Sequence, residues 1–335
     1  MMRAIRVTPP LPIHSLRVTE VPRPRPGAGE VLVELRAAAL NHRELLILRG
    51  EWPEWGTYTL GSDGAGIVTA VGSGVKEVEL GAAVVINPGL GWGSDQRAPL
   101  STFNTLGGPR DGTFADAVLV PAKNVRACPS DLNWEEAAAV PVAGLTTYRA
   151  IVVRARLRAD ETLLVHGIGG GVAQASLAIA GAIGATTIVT SSSEAKLARA
   201  QTLGATYGIN YQTEDWTSAV TELTEGRGPD VVLDSIGGET LSRSVKVVRR
   251  GGRVVSLGVT TGPAPNFPIR PLYVRHVDLL GTTLGSPEDF AAMLAFFGRH
   301  KIRPVVDSVF ALEEISQAMA LLERGAQFGK IVLRM

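Results

Sequence analysis

The run Val165-His-Gly-Ile-Gly-Gly-Gly-Val-Ala packs glycines behind an apolar segment and ahead of a helical one. Glycine permits a tight turn and lets the backbone approach a pyrophosphate closely. A helix start adds free N–H groups and a positive dipole end. Gly167 and Gly169 fit the first half of the G-x-G-x-x-G spacing, but Val172 takes its third place. Gly167, Gly170 and Ala173 fit a G-x-x-G-x-x-A variant instead. The chemistry implied for Gly167, Gly169, Gly170, Gly171 and Val172 is dinucleotide binding; the alternative is a plain strand-to-helix turn.

The next strand end bears on which dinucleotide. NAD sites place Asp or Glu there to bind the ribose hydroxyls. From Thr162 to Ser193 this chain has no acidic residue, and the strand end reads Thr190-Ser-Ser-Ser, then Glu194 and Lys196. A carboxylate would repel a 2′-phosphate, whereas hydroxyls and an ammonium bind one. NADPH is therefore expected over NADH. Ser191-x-x-Glu194 also fits a capping box, which leaves Ser192 free. Lys196 binds the phosphate or is merely solvated.

These residues need a scaffold, and the chain supplies two textures. Residues 1–123 hold short valine-rich segments broken by Gly and Pro, such as 31–36, 66–72, 84–86 and 117–120. They predict a small, largely antiparallel β domain. Residues 124–263 alternate short apolar runs with helical stretches. Strands are expected over 162–166, 187–190, 207–211, 230–234 and 252–258. Helices are expected over 172–183, 194–203, 216–223 and 240–248. This rhythm predicts an α/β fold, a doubly wound parallel sheet of Rossmann type. Residues 264–335 are mixed, with a sixth strand expected at 277–283, helices at 290–297 and 312–322, and a last strand at 331–334. They are expected to return to the first domain.

With 335 residues, 45% hydrophobic and 19% charged, the chain is long enough for two cores and too apolar for disorder. A formal net charge of +1 predicts neither a nucleic-acid nor a membrane partner. The arginines at 154, 156 and 158 read as a solvated helix face. Cys128 is the single cysteine, so no internal disulfide can form. It is either a reactive thiol or a small buried residue. The first residues hold no signal-peptide core, and a cytoplasmic location is expected.

The order of motifs resembles the medium-chain dehydrogenase/reductase superfamily, and within it the zinc-free quinone oxidoreductase branch. The matching segments are Ala39-Leu-Asn-His-Arg-Glu-Leu, Leu60-Gly-Ser-Asp-Gly-Ala-Gly-Ile-Val and Val140-Pro-Val-Ala-Gly-Leu-Thr-Thr. The Gly167–Ala173 loop, Ile209-Asn-Tyr and Phe328-Gly-Lys-Ile-Val complete them. The resemblance implies a GroES-like, mainly β catalytic domain at 1–123, completed by 264–335, around a cofactor domain at 124–263. It implies a homodimer pairing the sixth sheet strands. It also implies that Ser192, Lys196 and Tyr211 meet the adenosine 2′-phosphate, though Tyr211 also suits ordinary strand packing. Asn41 and Thr146 would lie near the nicotinamide, and Gly258 and Lys330 along the cofactor cleft.

Zinc-dependent relatives carry Cys, His and a further Cys or His where this chain has Asn41, Ser62 and Ala143. Those are poor or impossible zinc ligands. The four-cysteine lobe is replaced by residues 92–112. His14, His42, His166, His276 and His300 are scattered, so no metal is expected. Without zinc to stabilise an alkoxide, an electrophile that accepts hydride readily is favoured: a quinone or an α,β-unsaturated carbonyl. Such a reaction needs orientation and a donor near the oxygen. Asn41 can donate through its amide. Tyr58 and His42 are candidate proton donors, with water as the alternative. Trp52, Trp55 and Tyr58 either wall a pocket for a flat ring or anchor a surface loop. Other readings are an enoyl-thioester reductase, with Arg270 and Arg275 at the mouth, an alcohol dehydrogenase-like enzyme, and a cofactor-binding sensor or structural protein without turnover.

Overall fold

The computed structural model describes residues 1–53, 56–264 and 266–335. The chain forms two units: Met1–Leu145 with Gly285–Met335, and Thr146–Leu284. These boundaries differ from the 123/124 and 263/264 divisions expected above, for a local reason at each end. The helix Trp134–Ala139 buries Ala137, Ala138 and Ala139 and packs on strands Glu30–Ala39 and Asp63–Val71, so it belongs to the first unit. Residues 264–284 instead carry the helix Ile269–Val274 and the strand Asp278–Gly281, which extends the sheet of the second.

The first unit is built on Glu30–Ala39, whose residues are buried along most of its length. It pairs antiparallel with Asp63–Val71, with Ala117–Pro121 over its first half and with Lys330–Arg334 over its second. Residues 285–335 thus return to the first unit, whereas 264–284 do not. Pairing with Asp63–Val71 shifts register twice, which bends the strands. A Cβ at Gly66 would lie 2.0 Å from the Glu34 carbonyl oxygen, so only glycine fits that bend. Ile5, Leu40, Leu45, Phe114, Ile315 and Met319 form its main core beside the helices His42–Leu48 and Ile315–Glu323.

The elements of the second unit are numbered here in chain order. They are β1 (Thr162–Val165), α1 (Gly171–Ile183), β2 (Thr186–Ser191), α2 (Glu194–Thr202), β3 (Tyr207–Asn210) and α3 (Trp216–Leu223). After these come β4 (Val231–Asp234), α4 (Gly238–Val247), β5 (Arg253–Ser256), α5 (Ile269–Val274) and β6 (Asp278–Gly281). All pairs are parallel, in the order β3-β2-β1-β4-β5-β6. Leu164, Ile188, Ile209, Val232 and Val254 share a core with Trp216 and Val220 of α3 and Val245 of α4. Neighbours along each strand face the other side. The strand order reverses between β1 and β4, and the carboxyl ends flanking such a switch point are where ligands bind in doubly wound sheets. Among the described residues, no helix is long and apolar enough to cross a membrane.

Candidate functional site

At the switch point, β1 runs into a loop in which Gly167 adopts φ +69°, and the loop ends on Gly170, the N-cap of α1. That cap has no side chain to satisfy the first N–H groups of a 13-residue helix. Nothing lies within 4 Å of where a Cβ at Gly170 would project. Open, donor-rich backbone at a helix start suits a phosphate. The loop is fixed from behind: the Ile168 N–H donates to the Thr190 carbonyl at 2.9 Å, and the buried Gln174 amide donates to the Ile168 carbonyl at 2.5 Å. Gln174 carries no sequence signal beyond its place one turn into α1. The Thr147 hydroxyl donates to the Val172 carbonyl, and neighbouring Thr146 is buried. A Cβ at Gly258 would meet the Ser235 carbonyl oxygen at 2.6 Å, so this glycine lets the loops after β4 and β5 close together.

The β2 end gathers the residues expected around a 2′-phosphate. Ser191 pairs in register with Asn210, and the Tyr211 N–H donates to the Ser191 carbonyl at 3.1 Å. Tyr211 is 45% exposed and so is not a strand-packing residue. Ser192 is exposed, and Lys196 lies in the first turn of α2. One expectation is corrected: Ser193, not Ser191, caps α2, accepting from the Lys196 N–H. Ser191 is one step too early, and its hydroxyl accepts from the Ser193 N–H at 3.1 Å. Glu194 accepts from the Asn210 amide at 2.5 Å.

The first unit holds a polar centre that the sequence reading saw only in part. The Lys330 ammonium is buried and donates to the Leu40 carbonyl (2.6 Å), Asn41 Oδ1 (2.6 Å) and Asp63 Oδ2 (2.9 Å). Three donors meet three acceptors, so the ammonium is fully engaged. The Asn41 amide in turn donates to Asp63 Oδ2 at 3.0 Å. Asn41 Oδ1 and one amide hydrogen are therefore engaged, while the second amide hydrogen meets only the Ala39 carbonyl, at 3.5 Å. Asp63 also accepts from the Val142 N–H at 2.7 Å.

Beside it, buried Glu44 accepts from the Asn41 N–H at 2.5 Å and from the Ser62 hydroxyl at 2.8 Å. Arg43 donates to Ser62 Oγ at 2.6 Å and to the Leu106 carbonyl at 2.8 Å. Burial pushes the Glu44 carboxyl up, against the pull of Arg43 and the Ser62 hydrogen bond. Glu44 had a readable signal, since Asn41-x-x-Glu44 opens a helix; Asp63 lay inside the Leu60–Val68 motif, but nothing local showed its partners.

Tyr58 is 2% exposed and packs in the core with Ile5 and Leu60, and burial raises its phenol pKa. The Arg43 charge pulls that phenol the other way, so the ring is packed while its hydroxyl lies within reach of the Arg43 field. His42 heads the helix His42–Leu48 and is exposed, with desolvation and Arg49 lowering its pKa. Trp52 lies under the Arg43 guanidinium at 5.9 Å; Trp55 lies outside the described residues. Of the three rings, Tyr58 packs in the core and Trp52 is 39% exposed. The Arg275 guanidinium donates to the Lys246 carbonyl, while Arg270 is exposed. Cys128 is half-buried, and desolvation pushes its thiol up to about 11.

Zinc would need donors at Asn41, Ser62 and Ala143. The first is held by Lys330 and Asp63, the second by Arg43 and Glu44, and the third has none. This set does not fit the metal. Among the described residues, no group of three or more His, Cys, Asp or Glu is arranged to hold a metal ion.

Residues 27–130 match the alcohol dehydrogenase GroES-like domain, and residues 171–299 match the zinc-binding dehydrogenase domain. The chain is 36% identical over 339 residues to a zinc-type alcohol dehydrogenase-like protein, YogA, of Leptosphaeria maculans, covering 96% of this chain and 94% of that protein. A crystal structure of an NAD-dependent alcohol dehydrogenase superposes with a TM-score of 0.94 at 36% identity, covering all of both chains. A crotonyl-CoA carboxylase/reductase superposes with a TM-score of 0.92 at 25% identity, covering 100% of this chain and 88% of the other. With a GroES-like unit, a parallel Rossmann-type sheet and relatives matched along almost its whole length, this chain belongs to the medium-chain dehydrogenase/reductase superfamily.

Proposed function

We propose that the protein is an NADPH-dependent oxidoreductase that passes hydride, without a metal, to a quinone or an α,β-unsaturated carbonyl. The observation that carries the cofactor choice is the end of β2. It offers Ser192 and the neighbouring Lys196 and Tyr211, and no residue from 162 to 193 is acidic. Glu194, the nearest carboxylate in sequence, is bound to Asn210. The NAD named for one structural neighbour argues the other way. The local charge argues more directly, because a 2′-phosphate needs cations and hydroxyls where NAD sites hold a carboxylate.

Bound NADPH supplies the hydride. The chain's own residues bind and orient: the open start of α1 takes the pyrophosphate, and Ser192 and Lys196 hold the 2′-phosphate. The donor set at Asn41, Ser62 and Ala143 favours chemistry without zinc, hence an acceptor whose charge spreads onto a carbonyl oxygen. His42 is the exposed candidate for moving a proton, and water is the alternative source. The likeness to a crotonyl-CoA carboxylase/reductase favours a second reading, an enoyl-thioester reductase. We also propose a homodimer through β6, an edge strand whose residue Leu279 is 40% exposed. Sedimentation at a single-chain mass would overturn it.

The test is oxidation of NADPH beside NADH by purified protein against quinones, enones, enoyl thioesters and aldehydes. Faster turnover with NADPH on quinones or enones is expected, and a preference for NADH overturns the cofactor choice. Enoyl thioesters as the fastest acceptors would install the second reading. Stoichiometric zinc, lost together with activity on chelation, would overturn the metal-free chemistry. Lys196→Ala should weaken NADPH binding by roughly 1.5–3 kcal/mol, one charge-assisted contact, and leave NADH binding unchanged.

A further inference from the structure

His166 directly precedes Gly167 and is buried under the loop. Its Nε2 lies 3.1 Å from Ser244 Oγ of α4, and its Nδ1 lies 3.4 Å from Thr190 Oγ1 of β2. The partners fix the direction of each bond. Ser244 donates its hydroxyl hydrogen to Asp234 Oδ2 at 3.0 Å, so its oxygen must accept from His166 Nε2–H. Nδ1 is then the acceptor, and Thr190 donates to it while accepting the Gly167 N–H at 3.3 Å. Asp234 Oδ1 accepts the N–H groups of Ile236 (2.9 Å) and Gly237 (2.8 Å). The Trp216 ring closes over the imidazole edge-on, with centroids 4.7 Å apart.

We infer that His166 is a positioning residue: with Thr190, Ser244 and Asp234 it forms a relay of hydrogen bonds that ties the glycine loop after β1 to the loop after β4. The two loops flank the switch point of the sheet, so the relay sets their relative position before a cofactor arrives. The inference rests on the cofactor reading above. Thr190 lies at the end of β2, but its hydroxyl bonds to the Gly167 N–H and His166, in the loop that would receive the pyrophosphate, and not to Ser192 or Lys196, which would meet the 2′-phosphate. It therefore acts on NADPH and NADH alike.

The experiment compares Thr190→Val, which keeps the shape and removes the hydroxyl, with Thr190→Ser, which restores it. Two quantities are measured: dissociation constants for NADPH, NADH and adenosine 2′-phosphate, and amide exchange at Gly167 in cofactor-free protein. Thr190→Val should weaken both dinucleotides about tenfold, the worth of one hydrogen bond, and speed exchange at Gly167. Adenosine 2′-phosphate should bind as before. Thr190→Ser should stay within about twofold of the parent. Parent-like affinity and exchange in Thr190→Val would overturn the relay, as would an equal loss in Thr190→Ser, which would assign the effect to packing. If Thr190→Val does not fold, Ser244→Ala replaces it: weaker binding of both dinucleotides supports the relay, and parent-like binding and exchange overturn it. If the unsubstituted protein binds neither dinucleotide, the cofactor reading falls, while exchange at Gly167 still decides whether the relay orders the loop.

Discussion

Lys330 and Asp63 in the first unit, and His166 and Asp234 in the second, are all closed off from solvent, yet they are satisfied by opposite means. The first pair consists of opposite charges 2.9 Å apart, each surrounded by further polar partners. The second places an imidazole and two hydroxyls between a carboxylate and a backbone N–H. A buried ion pair is rigid because either charge alone is intolerable there. A hydroxyl–imidazole chain is rigid because each proton has one place to go. The difference predicts unequal costs when single members are removed.

The largest cost belongs to the ion pair. Lys330→Met or Asp63→Leu alone should cost about 3–5 kcal/mol, since each strands a buried charge. The double variant should cost less than the sum of the two. Denaturant unfolding of all three proteins checks this, and strict additivity would dissolve the contrast. The relay comes next, through pH. Burial holds His166 at about 4, with Asp234 pulling up and Arg243 pushing down. An unfolded histidine titrates near 6.5, so the unfolded chain binds the extra proton first. Stability from this group is full above about pH 6.5 and declines as pH falls toward 4, on the order of 3 kcal/mol in all. His166→Gln should flatten that window in a pH series of unfolding midpoints; an unchanged slope would remove the neutral imidazole from the account. The smallest expected effect is Ser62→Ala, about 1–3 kcal/mol, because Glu44 and Arg43 each lose one bond and keep others. A loss as large as that of Asp63→Leu would merge the two clusters into one.

The second unit was the more legible in sequence. Its elements are local: a period, a turn and a cap each declare themselves within a few residues. Residues 216–223 were expected helical and are α3 without change, and the glycine loop opens α1 as expected. The polar centre of the first unit was not legible, because its bonds are long-range. Asn41 meets partners 22 and 289 residues away, so no local pattern shows that its amide is occupied. His166 failed the same way, with Ser244 lying 78 residues on. Tyr58 shows a further limit: an aromatic in a polar-looking segment can still face inward once Ile5, Leu60 and Phe114 enclose it.

The strand Lys330–Arg334 closes the sheet of the first unit against residues 37–39. This has a consequence during synthesis. Residues 146–284 leave the ribosome as one contiguous stretch and can complete their core in order of emergence. The first 145 residues are made earlier but must wait for the last strand, holding the hydrophobic edge at 37–40 unpaired in the meantime. The oldest part of the chain is thus the last to mature. A ribosome stalling near residue 325 would leave the later-made unit finished and the earlier-made one exposed.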